Sequence, residues 1–180
     1  RARVFATIAL AHEGVQFAYA PVVLDDDGKS GALRFHLARG NPVCALADGK
    51  TLSFSFMGAD AYVSPDWYES EGLVPTWNYI AVEGAGVARK LNREELRQLL
   101  AHISAQEEEK LPKAPWTMDK VPESRIEALL NGIEGFAVPL ETLKGKFKLS
   151  QDKKSADIAG VISALEARGD AASVAVAEAM

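Results

Sequence analysis

The sequence predicts an α+β protein, a small barrel of mainly antiparallel strands with peripheral helices. Eleven of the fourteen aromatic residues lie at or before Tyr79, and aromatic side chains suit half-buried pleated surfaces. Short segments with strand character recur along the chain. Helical segments with recognisable caps are inserted between them.

Val4–Ala11 is the longest near-apolar run and reads as a buried strand. Phe17–Leu24 is a second strand, closed by the turn-rich segment Asp25–Gly31 with its Asp27-Gly28 step. Ala32–Leu37 returns to complete a hairpin. Asn41 as cap and Pro42 as first residue open a short helix. Thr51–Met57 alternates, with Leu52, Phe54 and Phe56 on one face and Thr51, Ser53 and Ser55 on the other. Asp60–Ser64, Val74–Val82 and Ala85–Leu91 follow as further short strands.

Asn92 caps a helix over Arg93–Lys110, with Leu96, Leu99, Leu100 and Ile103 at helical spacing. Pro112 and Pro115 lie beyond its end. Pro122 opens Glu123–Asn131, which Gly132 terminates. Gly135–Leu140 and Lys144–Ser150 are two more strands. Ser155–Arg168 is helical, stopped by Gly169, and Asp170 caps a last helix. Repeats and long linkers are lacking, so 1–180 is expected to form one domain with a C-terminal helical segment from about 153 to 180.

Composition narrows the function classes. The chain has 180 residues, a net charge of −5 and a single cysteine. Cys44 alone excludes an intramolecular disulfide framework and any multi-cysteine metal site. The acidic balance argues against a wholesale nucleic-acid binder. No run approaches the roughly 20 apolar residues that span a bilayer, and no small-residue cleavage site follows the first apolar run. A soluble, cytoplasmic protein of bacterial type is the expectation.

Several motifs are absent: the Gly-rich Lys-Ser/Thr phosphate loop, the G-x-S-x-G nucleophile elbow and the H-E-x-x-H metal helix. His12, His36 and His102 lie far apart, without metal-ligand spacing. Gly84-Ala85-Gly86-Val87-Ala88-Arg89 begins like a dinucleotide fingerprint, but Arg89 replaces the third glycine, and the stretch reads as a hairpin turn. Cys44 sits in the apolar run Val43–Ala47, where a buried thiol makes a poor nucleophile.

Three segments carry chemistry. In Arg34–Pro42, His36 lies on a strand that runs through Arg39 into the helix capped by Asn41. Free N–H groups at a helix start and a guanidinium both attract phosphate, although an ordinary cap with a surface arginine has the same pattern. Tyr62–Tyr68 and Val74–Tyr79 interleave aromatic rings with Ser, Thr and Asn. They fit either a flat heteroaromatic ligand or an aromatic core. Lys144–Lys154 carries five lysines and one acid, which suits an anionic ligand or a lysine-guarded strand edge.

Together these segments resemble the PaiB-type family of FMN-binding proteins, often labelled negative transcriptional regulators. The resemblance runs through His36-Leu-Ala-Arg39-Gly-Asn41-Pro42, Tyr62-Val-Ser64-Pro65-Asp-Trp67-Tyr68 and Val74-Pro75-Thr76-Trp77-Asn78-Tyr79. It continues through Pro115-Trp116 and Gly145-Lys146-Phe147-Lys148-Leu149-Ser150-Gln151. It implies an FMN-binding split β-barrel, similar to pyridoxamine-phosphate oxidases and flavin reductases, that forms a homodimer with FMN near the subunit interface. It also implies that a strand-and-helix segment precedes Arg1.

By motif position, His36, Arg39 and Asn41 are expected near the phosphate. Trp77, Asn78 and Tyr79 are expected on the flavin-ring side, with Lys148, Ser150 and Gln151 closing the pocket. The functional expectation is an FMN-dependent regulator or oxidoreductase-like protein in which the flavin carries any redox chemistry. The alternatives are a repressor that binds DNA directly and a haem-binding split barrel. Direct DNA binding has little support, because neither a helix-turn-helix pattern nor a basic recognition helix is present.

Overall fold

A computed structural model describes residues 4–26 and 31–180. The expected Asp27-Gly28 turn therefore lies outside the described residues. The elements run β1 (Phe5–Ala11), β2 (Val15–Pro21), β3 (Val23–Asp26), β4 (Gly31–Ala38), α1 (Pro42–Leu46), β5 (Thr51–Val63), β6 (Thr76–Val87), β7 (Arg89–Lys90), α2 (Arg93–Glu108), α3 (Glu123–Leu130), β8 (Ile133–Pro139), β9 (Thr142–Lys148), α4 (Ser155–Arg168) and α5 (Ala171–Ala179). Single 3-10 turns occupy Pro65–Trp67 and Met118–Lys120. The strands form one five-stranded sheet, in the order β2-β1-β5-β6-β9, and one four-stranded sheet, in the order β3-β4-β8-β7. No helix among the described residues is long and apolar enough to cross a membrane.

The chain divides into two compact units, 1–56 with 83–143 and 57–82 with 144–180. In the first unit, alternation buries Ala6, Ile8 and Leu10 of β1 and Ala18 and Ala20 of β2, leaving Phe5, Val15, Phe17 and Tyr19 exposed. Phe35 of β4 lies opposite Phe136 of β8 in register, with ring centroids 5.5 Å apart, and meets Phe54 edge-on at 5.6 Å. Burying each of these rings contributes roughly 1.5–3 kcal/mol.

α2 starts with a reciprocal capping box. The Asn92 side chain accepts from the Glu95 N–H at 2.9 Å, and the Glu95 carboxylate accepts from the Asn92 N–H at 2.8 Å. Arg89 grips the same carboxylate through both Nη atoms, which pulls the Glu95 pKa down to about 2.

The second unit packs the end of β5 and the start of β6 with α4 and α5 around Ala61, Val63, Leu149, Val161, Leu165 and Val176. Gly169 ends α4 in the left-handed conformation, with φ 70°. Asp170 then caps α5 by accepting from the Ser173 N–H at 3.0 Å.

Three strand assignments differ from the sequence expectation. Phe17–Leu24 is two strands in two sheets: β2 pairs with β1, and β3 pairs with β4. The switch falls where Val22 and Val23 are both buried, breaking the period-two pattern just after Pro21. Thr51–Met57 and Asp60–Ser64 are one strand. Gly58 sits inside it because a Cβ there would lie 2.9 Å from the Ile80 Cβ.

The Gly84–Arg89 stretch is not a hairpin turn, since β6 continues through Gly84 and Gly86 to Val87. A Cβ on Gly86 would lie 1.9 Å from the Pro139 carbonyl oxygen. These glycines admit a neighbouring backbone and do not reverse the chain.

Candidate functional site

In the first unit, β4 places Leu33, Phe35 and Leu37 inward and Arg34 and His36 on the opposite face. The His36 Nδ1 is buried with no hydrogen-bond partner among the described residues. Burial lowers the pKa of this imidazole, which keeps it neutral at pH 7.

Arg39 follows the end of β4. Its Nη2 lies 2.5 Å from the Glu134 carboxylate, and its Nε donates to the Asn131 carbonyl at 2.7 Å. Glu134 also takes Lys90 at 2.9 Å. Asn41 accepts from the Val43 N–H at 2.9 Å and so caps α1. Of the three phosphate candidates, Arg39 and Asn41 therefore already have protein partners, and His36 Nδ1 has none among the described residues. Cys44, one turn further, is buried, and its thiol pKa is raised first by burial and then by Glu134.

The second unit gathers more of the expected residues. Gln151 folds back on its own turn. Its Oε1 accepts from the Leu149 N–H at 2.8 Å, and its Nε2 donates to the Phe147 carbonyl at 2.6 Å. This clamp encloses Ser150, which adopts a positive φ of 60°, an uncommon conformation for a residue with a side chain. The Ser150 hydroxyl thereby meets fully buried Asn78. It receives the Asn78 amide N–H at 3.1 Å and reaches the amide oxygen at 3.2 Å. The same amide nitrogen donates to the Met180 sulfur at 3.3 Å.

Lys148, the last residue of β9, donates to the Thr76 hydroxyl and to the Trp77 carbonyl. Both acceptors are neutral. Among the described residues no carboxylate pairs with Lys148, and Asp152 is taken by Lys153 at 2.7 Å.

These side chains line a cavity of about 200 Å³, with Tyr68 on another wall and Leu73–Pro75 as its apolar side. The Tyr68 hydroxyl is buried without a partner among the described residues. The wall is strapped to α4. Buried Asp157 accepts from the Ser70 N–H at 2.8 Å, and this bond holds its carboxyl below the usual range. Gly160 lets the Trp67 carbonyl approach to where a Cβ would be only 2.2 Å away.

Asn78, Lys148, Ser150 and Gln151 thus share one cavity. Trp77 and Tyr79 do not line it. Alternation along β6 sends Thr76 and Asn78 to one face and Trp77 and Tyr79 to the other. Trp77 is exposed and packs edge-on against Tyr62, with centroids 6.1 Å apart.

Tyr68, Thr76 and Lys153 line the cavity but were not among the expected site residues. Period-two reasoning over Thr76–Tyr79 supplies the signal for Thr76. The loop carrying Tyr68 has none, because its position depends on Asp157 and Gly160, more than eighty residues away.

Two antiparallel sheets with helices packed against them make this an α+β protein. Residues 1–142 match the family described as "Putative FMN-binding domain". The chain belongs to this family, whose cofactor is FMN.

It is 32% identical over 164 residues to the protease synthase and sporulation protein PAI 2 of Bacillus subtilis, covering 90% of this chain and 78% of that one. In fold it is similar to the flavocytochrome Anf3 of Azotobacter vinelandii, with TM-score 0.56, 13% identity and coverage of 88% and 68%. It is also similar to the FAD and heme binding protein of Mycobacterium smegmatis, with TM-score 0.54, 18% identity and coverage of 87% and 71%.

Proposed function

We propose that this protein holds FMN in a homodimer and acts as a flavin-dependent regulator or oxidoreductase-like protein of the PaiB type. The observation that carries the flavin reading is the exposed Trp77 indole, braced edge-on by Tyr62. A rigid, solvent-facing aromatic pair is a stacking surface for a flat heteroaromatic ring. FMN is the ring that the family supplies.

When bound, FMN contributes the redox chemistry. The chain's own residues bind, orient and shield it. Of the nine expected site residues, the exposed Trp77 and half-buried Tyr79 supply the aromatic rings of this reading. Lys148 has donor capacity to spare, and His36 offers an unpartnered Nδ1. Arg39, Asn41 and Gln151 act through the backbone they hold, and Asn78 and Ser150 through each other.

The homodimer reading rests on the outer face of β1 and β2. Phe5, Val15, Phe17 and Tyr19 are each more than half exposed there. Their paired neighbours are Pro21, Ala11, Ala9 and Thr7, so these paired positions carry no charge among the described residues. Two copies of an uncharged apolar face can meet about a twofold axis without like-charge repulsion.

Flavin absorbance of the purified protein and quenching of FMN fluorescence test binding, with Trp77→Ala as the variant. Retained quenching by that variant at wild-type affinity would remove Trp77 from the ring site. A colourless protein that does not quench FMN at all would end the flavin reading. Light scattering with Phe17→Lys tests the dimer: the wild type is expected at twice the chain mass and the variant at the single-chain mass.

A further inference from the structure

The cavity beside Lys148 carries an assignment of its own. An ammonium group has three donors, and Lys148 places two of them on the Thr76 hydroxyl and the Trp77 carbonyl. Neither acceptor bears charge, and the Asp152 carboxylate that also lines the cavity is paired with Lys153 at 2.7 Å, so no carboxylate takes the third Lys148 donor among the described residues. A cation that faces a cavity with part of its donor capacity unused attracts anions there.

The remaining walls have matching chemistry. The buried Tyr68 hydroxyl has no partner among the described residues, while the Ser150 hydroxyl, set by the Gln151 clamp, gives its proton to the Asn78 amide oxygen and fixes the floor. Lys153 adds a second ammonium at the rim, screened by Asp152. At about 200 Å³, the cavity is smaller than the roughly 300–1,000 Å³ that encloses a whole cofactor-sized ligand. It accommodates one polar end of a larger molecule, or a small anion.

We propose that this cavity is a phosphate subsite, with Lys148 as its charged anchor and the unpartnered Tyr68 hydroxyl as its neutral donor. The ligand class is a phosphate monoester or free phosphate. The proposal deepens the flavin reading and rests on it only for the molecule that brings the phosphate. The corner at Arg39 and Asn41, where the motif places phosphate, has its cation neutralised by Glu134 and its amide oxygen spent on α1.

The test compares FMN, riboflavin and inorganic phosphate on the wild type, Lys148→Met and Lys148→Arg. Flavin affinity is read by fluorescence quenching, and melting temperature is measured at matched ionic strength in chloride. If the phosphate is the flavin's own, FMN binds at least about tenfold tighter than riboflavin, as expected for a charge-assisted contact. Inorganic phosphate then competes with FMN and not with riboflavin, Lys148→Met erases the preference, and Lys148→Arg keeps it.

If the phosphate belongs to a second ligand, the two flavins bind alike, while inorganic phosphate raises the melting temperature of the wild type and not of Lys148→Met. Equal flavin affinities with no phosphate response beyond that of chloride overturn the subsite and leave the flavin reading standing. If neither flavin binds, the flavin reading fails and the phosphate response alone decides the subsite. Should Lys148→Met not fold, competition and melting on the wild type decide.

Discussion

At the end of β4, Arg39 stands beside an amide and a helix start. At the end of β9, Lys148 stands beside hydroxyls and an amide. On sequence the two corners look equally suited to an anion. In the folded chain, Glu134 arrives on β8 and pairs with Arg39 and with Lys90, while among the described residues Lys148 donates to the neutral oxygens of Thr76 and Trp77 and the nearby Asp152 is paired with Lys153. A cation in a motif becomes a binding group only if the fold withholds its natural counter-ion. That counter-ion comes from a distant strand, so a local motif cannot show whether it is there.

The largest expected effect is on the floor of the second corner. Asn78→Ala leaves the Ser150 hydroxyl without its buried partner, at a cost of about 1–3 kcal/mol. Denaturant melts should show this loss, together with weaker phosphate or FMN binding, because Ser150 is released.

The first corner should break differently. Asn41→Ala removes a helix cap at a cost of about 1 kcal/mol and is expected to leave FMN affinity unchanged. A loss of affinity beyond that of Lys148→Met would reverse the ranking of the two corners.

Smaller still is Glu134→Ala, whose partners are largely exposed, so the stability change stays below about 1 kcal/mol. Its interest is in the charge it frees. Arg39 and Lys90 are left unneutralised, and the variant should gain a phosphate-dependent rise in melting temperature that the wild-type corner lacks.

The smallest effect lies outside both corners, at Glu95. Its folded pKa of about 2 lies below the ordinary 4.5, so the unfolded chain binds the proton more readily between those values. The stabilisation is complete above about pH 4.5 and is lost as the pH falls toward 2. Amide exchange at the start of α2 should rise over that window, and Glu95→Gln should abolish the dependence.

Local chemistry was legible in the sequence. Asn41, Asn92 and Asp170 cap the helices they were expected to cap, and Gly169 stops α4. Each of these signals needs only three or four adjacent residues. What sequence reading missed depends on distant partners. β2 and β3 separate where Val22 and Val23 are both buried, and β6 runs on through Gly86, where a Cβ would collide with the Pro139 carbonyl.

The sequence reading grouped Lys148, Ser150 and Gln151, and the fold adds Asn78 to them at one cavity. Grouping Trp77, Asn78 and Tyr79 on one side ignored the pleat, which points Asn78 away from its two neighbours. The spending of Arg39 on Glu134 depends on the register of β4 with β8, where Leu37 faces Glu134.

The cavity also fixes an order of events during synthesis. Thr76 and Lys148 are 72 residues apart, as are Asn78 and Ser150, and the intervening segment 83–143 belongs to the other unit. Long-range closures of this kind are slow, because the loop must be ordered before its contacts reward it. The first unit can assemble once residue 143 has left the ribosome, whereas the second still waits for β9, α4 and α5. Thr76 and Asn78 therefore emerge well before Lys148 and Ser150, and the cavity they share can close only after the whole segment 83–143 has been made.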